Sequence, residues 1–317
     1  MSDKHRKPEQ TGKVRTVKNE ILMYVLPVVI IGLVVMVGVI FKYVGSTFEE
    51  QLTTTSLRNA QEVSDGVSSW LDARMLETQT AASNPAAKEL KDSPEGMNEN
   101  NKYRLALMNK IYPGVYDSVS WGPFDGSGVL YGETKNGFKE MHNADKAWYK
   151  ETMTGAKDSF MASPVISQAT GKIIVNSIAL AKDEKGENIG MVLAAIYVDA
   201  VMEKVGNFKL GEDGYSLLVS KEGTYIVNPD ENAVMKKKIS EEDDPALRAL
   251  GEKMLSGEAG AYKYTNKDGK DMIAFYNPIK AKGWCMATLA YHDELFAQVG
   301  NLLKSMVGLS VMVIVLI

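Results

Sequence analysis

The chain has 317 residues, 45% hydrophobic and 24% charged, with a formal net charge of −4, a balance that buries a core and excludes disordered and fibrous classes. The charge is uneven: residues 1–20 carry six Lys/Arg against three acids, so that head is +3 and the remainder −7. An acidic body excludes nucleic-acid binding, which needs a positive surface to displace counterions from phosphates.

Residues 1–20 read as a cytoplasmic N-terminus. The run Ile21–Phe41 is 21 uncharged residues, and at a rise of about 1.5 Å per residue it matches a bilayer core of about 30 Å. It predicts a first transmembrane helix over 21–43, oriented by the basic head so that the chain beyond this helix lies outside. The alternative, a cleaved signal peptide, would have a shorter apolar run and a small-residue cleavage site. From Thr47 to Leu90 the apolar residues Leu52, Leu57, Val63, Val67, Trp70, Leu71, Met75 and Leu76 recur at helical steps. This predicts a long helix continuing out of the membrane. Pro85, Pro94 and Gly96 then mark a loop, followed by a shorter helix over Lys102–Ile111.

Beyond Ile111 the period changes to that of strands. "DSVSWGPFDGSGVLYGE" reads as strand, turn and strand, with "DGSG" supplying residues for a tight hairpin, and "KIIVNSIALAKDEKGENIGMVLAAIYVD" repeats the device. Between them lies "HNADKAWYKETM". "DAVMEKVGNFKLG" predicts a short helix, after which the scheme recurs: a hairpin in "YSLLVSKEGTYIVNPD", a helix through "DDPALRALGEKMLSG", and further strands to Tyr291. The expected fold is α+β: a long N-terminal helix followed by two PAS-like modules, each an antiparallel sheet with helices on one side. A final helix from Asp293 leads into an uncharged run, Ser305–Ile317. That run is too short to cross a bilayer alone, so 301–317 is expected to be the start of a second transmembrane helix that the sequence cuts short. Residues 44–300 then form an extracytoplasmic domain between two spans.

Motifs of catalysis are missing from this sequence: it has no HExxH, phosphate-binding loop, nucleophile elbow or EF-hand loop. His5, His142 and His292 are scattered, and no metal or cofactor is expected. "GSGVLYG", Gly126–Gly132, opens a strand where a dinucleotide fingerprint opens a helix, and reads as a hairpin turn. The acidic pairs Glu241–Glu242 and Asp243–Asp244 fit a solvated connector. The one cysteine, Cys285, permits no intrachain disulfide and reads as a small apolar core residue. The chain is therefore expected not to be an enzyme, although a hydrolase whose triad assembles from distant residues stays open.

The segment around Trp148 and Tyr149 has two readings. Lys146 and Asp199, with aromatic walls between them, would suit a zwitterion, whose carboxylate meets the lysine and whose ammonium meets the aspartate. Alternatively Trp148 packs, Lys146 lays its stem on apolar surface, and Asp199 caps the helix next to it.

In the order of its pieces, the long helix, "DKAWYKETM", "ASPVISQATGKIIVNSIAL", "MVLAAIYVDAVMEKV", "DGYSLLVSKEGTYIVNPD" and "MIAFYNPIKAKGWCMATLAYHDEL", the sequence resembles the double Cache (dCache) sensor domain of bacterial methyl-accepting chemotaxis proteins. The resemblance implies a membrane-distal ligand-binding module at about 80–205 and a membrane-proximal module at about 206–290. It implies a missing C-terminal output region that engages cytoplasmic signalling partners. Members that bind amino acids carry an arginine two residues before Trp-Tyr for the carboxylate and an aspartate at the end of a later strand for the amino group. Trp148, Tyr149 and Asp199 match. Lys146 stands in for the arginine, without its planar fork, and Met141 and Val165 occupy positions where tyrosines are expected. Trp121, Tyr131 and Tyr197 are further candidates for pocket walls, or else simple core. The function so implied is a multi-pass chemoreceptor of the cell (inner) membrane, its sensor domain periplasmic or extracellular. It would be a homodimer in the lipid bilayer and would sense a small polar metabolite, an amino acid or small organic ion. The alternative output is a histidine kinase or a diguanylate cyclase.

Overall fold

The computed structural model describes residues 17–85, 87, 93–206, 209–279 and 282–316. The basic head of the sequence lies mostly outside them. The described chain divides into two compact units, one comprising residues up to Leu52 with Phe296 onward, the other Thr53–Leu295.

Helix α1, Val17–Ala82, contains Pro27 and carries exposed apolar side chains all round its early turns, among them Val28, Ile31, Val34 and Val39. In the first unit the Phe48 and Phe296 rings meet edge to face at 5.6 Å. The last helix, α6, His292–Leu316, is the second element long and apolar enough to cross a membrane.

In the second unit α1 turns a stripe inward: Val67, Leu71 and Met75 are buried, whereas Leu76, expected on the stripe, is 61% exposed. The helix stops at Ala82, short of the expected Leu90. Helix α2 runs Pro94–Ile111, eight residues ahead of the expected start. The physical reason is capping: Ser93 Oγ accepts from the Gly96 N–H at 3.1 Å, and Pro94 sits in the first turn, where its missing N–H costs nothing. A proline that reads as a breaker is here an initiator.

Seven strands form the first sheet among the described residues. They are β1 (Tyr116–Pro123), β2 (Val129–Thr134), β3 (Gly137–His142), β4 (Ser159–Met161), β5 (Val165–Ile166), β6 (Ile173–Lys182) and β7 (Asn188–Tyr197). Their order is β3-β2-β1-β7-β6-β4, with β5 also on β6, and every pairing is antiparallel. Both expected hairpins form. Strand β3 went unread because Lys139 and Glu140 interrupt its alternation; it is a half-exposed edge. Short helix α3, Ala147–Met153, lies between β3 and β4, and α4, Val198–Gly206, comes directly after β7.

The second sheet has β8 (Tyr215–Val219), β9 (Tyr225–Val227), β10 (Gly260–Thr265), β11 (Asp271–Ile279) and β12 (Trp284–Tyr291), in the order β10-β11-β12-β8-β9. Helix α5, Pro245–Leu255, covers it, its first turn capped by Asp244, whose carboxylate accepts from the Ala246 N–H at 2.8 Å. Cys285 is buried in this module's core, where burial pushes its thiol up to about 12. It packs as the sequence predicts.

One apolar cluster ties these parts together: Val67 and Leu71 of α1, Val201 and Val205 of α4, and Leu218, Ile226, Trp284 and Met286 of the second sheet. Leu71→Ala is expected to destabilise the chain by about 3 kcal/mol through the cavity it leaves. Leu76→Ala, on the exposed side of the same helix, should stay within about 0.5 kcal/mol. Urea unfolding in detergent, followed by tryptophan fluorescence, separates the two.

Candidate functional site

On the face of the first sheet that looks away from α1 and α2 lies a cavity of about 50 Å³. Strand alternation builds it. Leu193 and Ala195 of β7, Ile174 and Asn176 of β6, and Ser118 and Ser120 of β1 point into it, while Val192, Ala194 and Val119 point to the helices. Trp148 of α3 forms a wall, and Met141 and Val165, at the positions where tyrosines were expected, also line it.

Strand β1 breaks its own alternation. Its pairing with β7 shifts register between Tyr116 and Ser118, so Asp117 is the extra residue of a β-bulge. The bulge sends Tyr116 to the helix side, where its hydroxyl donates to the Glu77 carboxylate, and turns Asp117 into the cavity. Asp117 is 1% exposed and accepts from Ser167 Oγ at 2.8 Å and Thr170 Oγ1 at 2.5 Å. Among the described residues it makes no ion pair. Lys146 is held by Asp145 at 2.9 Å and Lys172 by Asp199 at 3.0 Å. Two further polar atoms of the cavity wall, Ser120 Oγ and Asn176 Oδ1, are buried without a hydrogen-bond partner.

The turn that bonds Asp117 is itself tied across the cavity. Gln168 Nε2 donates to the His142 carbonyl at 3.2 Å and to Asn143 Oδ1 at 3.3 Å. Gly132 keeps one wall thin: a Cβ there would stand 2.4 Å from Ser120 Oγ and 2.6 Å from the Met141 side chain.

The seven candidate residues fall into three groups. Lys146 and Trp148 line the cavity, Lys146 from a partly exposed rim. Tyr197 ends β7 on the cavity-facing side with Leu193 and Ala195. Its buried hydroxyl faces Asp117 without closing a well-formed hydrogen bond, and burial, reinforced by that carboxylate, pushes the phenol up to about 12. The other four are placed elsewhere. Trp121 and Tyr131 are cross-strand partners on the helix-facing side of the sheet, packed near Ala82 and Met97. Asp199 sits in the first turn of α4, its side chain 66% exposed and paired with Lys172. Tyr149 is buried in the core beside the cavity, where its hydroxyl accepts from the Gly128 N–H at 2.9 Å. Gly128 needs this arrangement: it has φ +76°, and a Cβ would lie 2.6 Å from Ala144.

Asp117 escaped the sequence reading. Its one signal was an acid in the middle of a strand otherwise made of small and apolar residues, and regular alternation would have pointed it away from Ser118 and Ser120.

The family model for a Cache domain, dCache, matches residues 43–299. The methyl-accepting chemotaxis protein McpA of Bacillus subtilis is 21% identical over 290 residues, 90% of this chain and 40% of that protein. The chain thus spans less than half the length of that relative. Among solved structures, the ligand-binding domain of the Pseudomonas fluorescens chemoreceptor CtaA, in complex with L-isoleucine, aligns with a TM-score of 0.59 and 22% identity, covering 80% of this chain and 98% of that one. The extracellular domain assigned to a histidine kinase, mmHK1S-Z3, aligns with a TM-score of 0.62 and 16% identity, covering 78% and 97%. These likenesses concern the fold.

Tyr149→Phe removes the acceptor from a buried N–H and leaves the cavity lining intact. It should lower stability by about 1–3 kcal/mol, the cost of an unsatisfied buried donor. Thermal or urea unfolding measures the loss, and any ligand affinity of the folded variant should stay within about twofold of wild type.

Proposed function

The chain belongs to the dCache family of Cache domains, and from that premise we propose that it is the sensing part of a membrane chemoreceptor. The helix over 21–43 would cross the cell membrane, 301–317 would begin a second crossing, and residues 44–300 would stand outside it. The module at about 80–205 binds a small polar or charged metabolite, and the module at about 206–290 lies between it and the membrane. The reading treats the chain as a binding module and not an enzyme.

The observation that carries this reading is the cavity beneath Trp148. It joins apolar walls to a buried carboxylate at Asp117 and two unpartnered buried oxygens, on Ser120 and Asn176. Buried polar atoms are nearly always satisfied, and a cavity lined by unsatisfied ones fits a polar occupant. Signalling rests on differential affinity: an occupant stabilises whichever arrangement of α3, the 167–172 turn and α1 it fits best. Exposed apolar residues on α2, Tyr103 at 68%, Leu107 at 42% and Ile111 at 56%, support a homodimer through this helix. In this reading the receptor's output region engages cytoplasmic signalling partners. A histidine-kinase output is the second reading, favoured by the similarity to the mmHK1S-Z3 domain.

A thermal-shift screen of the whole chain in detergent, against amino acids, amines, organic acids and nucleobases, tests the proposal. A ligand at 100 times its dissociation constant adds about 2.7 kcal/mol, a shift of a few degrees. Ala195→Leu, which fills the cavity, should abolish the response while circular dichroism stays native. Equal shifts in both proteins would place the ligand elsewhere.

A further inference from the structure

We propose that the groove between α1 and α2, on the opposite side of the first sheet from the cavity beneath Trp148, is a second binding site, and that it takes a small carboxylate carrying a short apolar chain. The inference does not depend on what the cavity holds.

The charges of this groove do not balance. Arg74 and Arg104 bring two guanidinium groups to its lining and Glu77 brings one carboxylate. Both oxygens of Glu77 are taken: one accepts from Arg74 Nη2 at 2.8 Å, the other from the Tyr116 hydroxyl. Among the described residues the half-buried Arg104 makes no direct ion pair, and burial pulls its guanidinium down to about 10, still cationic at neutral pH. One positive charge is left over.

Donors are left over as well. Arg74 is 3% exposed, and its Nε and Nη1 are buried without acceptors. The rings of Trp70 and Tyr112 lie 5.4 and 3.7 Å from this guanidinium and compensate its charge through their π-faces. They give its in-plane N–H groups nothing to bond. Buried polar groups are nearly always satisfied, so these donors point to an acceptor that an occupant brings.

A carboxylate supplies what both arginines lack, a negative charge with several lone pairs and no donor of its own. An ammonium would add a third cation and three further donors. The remaining wall is largely apolar: Ala73, Leu76, Leu107 and Met108 line the groove with Tyr112, and its volume of about 430 Å³ leaves room for the tail of a short-chain acid. Because the Arg74 donors are sealed from water, the carboxylate meets Arg104 first. Displacement of the Tyr112 ring, at the C-cap of α2, then opens Arg74 to it. Leu107 belongs both to the groove wall and to the α2 face assigned to the homodimer, so an acidic side chain of a second copy is the rival source of the anion.

Isothermal titration calorimetry of the whole chain in lipid nanodiscs, with butyrate and butylamine as probes, tests the assignment. The chain carries Ala195→Leu, so that the cavity beneath Trp148 is filled. Butyrate should bind as it does to the wild type, and butylamine should not bind. Adding Arg104→Gln should weaken butyrate by about 10- to 100-fold, the loss of one charge-assisted bond. The comparison of the two probes decides the matter even where Arg104→Gln fails to fold. Equal binding of both probes, or unchanged butyrate affinity in Arg104→Gln, overturns the proposal. If butyrate binds the wild type and Ala195→Leu abolishes it, this site falls while the cavity stands as a ligand site. If butyrate gives no heat and Arg104→Gln converts a dimer to monomer in analytical ultracentrifugation, the proposal falls in favour of a carboxylate from the second copy.

Discussion

The structure of the larger unit depends on how one helix buries one stripe. Between Thr53 and Ala82, α1 offers Val67 and Leu71 to a cluster that already contains α4 and the second sheet, so the two modules share a core across the helix. Directional bonds then fix the register. Ser64 Oγ donates to the Pro278 carbonyl at 3.1 Å on the second module, and Ser177 Oγ donates to Thr78 Oγ1 at 2.8 Å on the first. Lys282, nearly buried, pairs with Asp72 at 2.8 Å. Apolar burial is non-directional and would tolerate sliding; these polar contacts would be lost by a slip of one turn. Both modules therefore hold α1 in one register.

The bulge in β1 is where that frame meets the cavity. Tyr116 and Asp117 are consecutive residues on opposite faces of one strand. Tyr116 bonds Glu77, which pairs with Arg74 at 2.8 Å, and Arg74 lies over the Tyr112 ring at 3.7 Å. Asp117 bonds the turn that closes the cavity. A regular strand could not serve both sides with adjacent residues, because alternation would place one of them wrongly. The link between the cavity's charged residue and the long helix is one peptide unit.

Much of this architecture was legible because it is written in local periodicity. The 3.6-residue spacing of Val67, Leu71 and Met75, the two hairpin turns and the repeated plan all rest on patterns that a short window contains. The errors have local causes too. Pro94 reads as a breaker until Ser93 is recognised as its cap, and Lys139 and Glu140 hide an edge strand. The site was less legible. Trp148 and Lys146 reach the cavity, but Tyr149 is held by a backbone bond to Gly128 whose importance depends on a turn 21 residues away. Asp199 looked like the natural anion because it comes after a strong strand, yet β7 ends at Tyr197 and puts the tyrosine on the cavity side. Asp117 depended on a bulge, which is set by the pairing of two strands some 75 residues apart in sequence, and no local pattern encodes that.

Hydrogen–deuterium exchange, read by mass spectrometry on the whole chain with and without a compound that shifts its melting, tests the central claim most directly. Binding in the cavity beneath Trp148 predicts slowed exchange in residues 146–150 and 165–172, with β8 and β9 unchanged. Protection confined to the second module, with 165–172 exchanging as before, would contradict it.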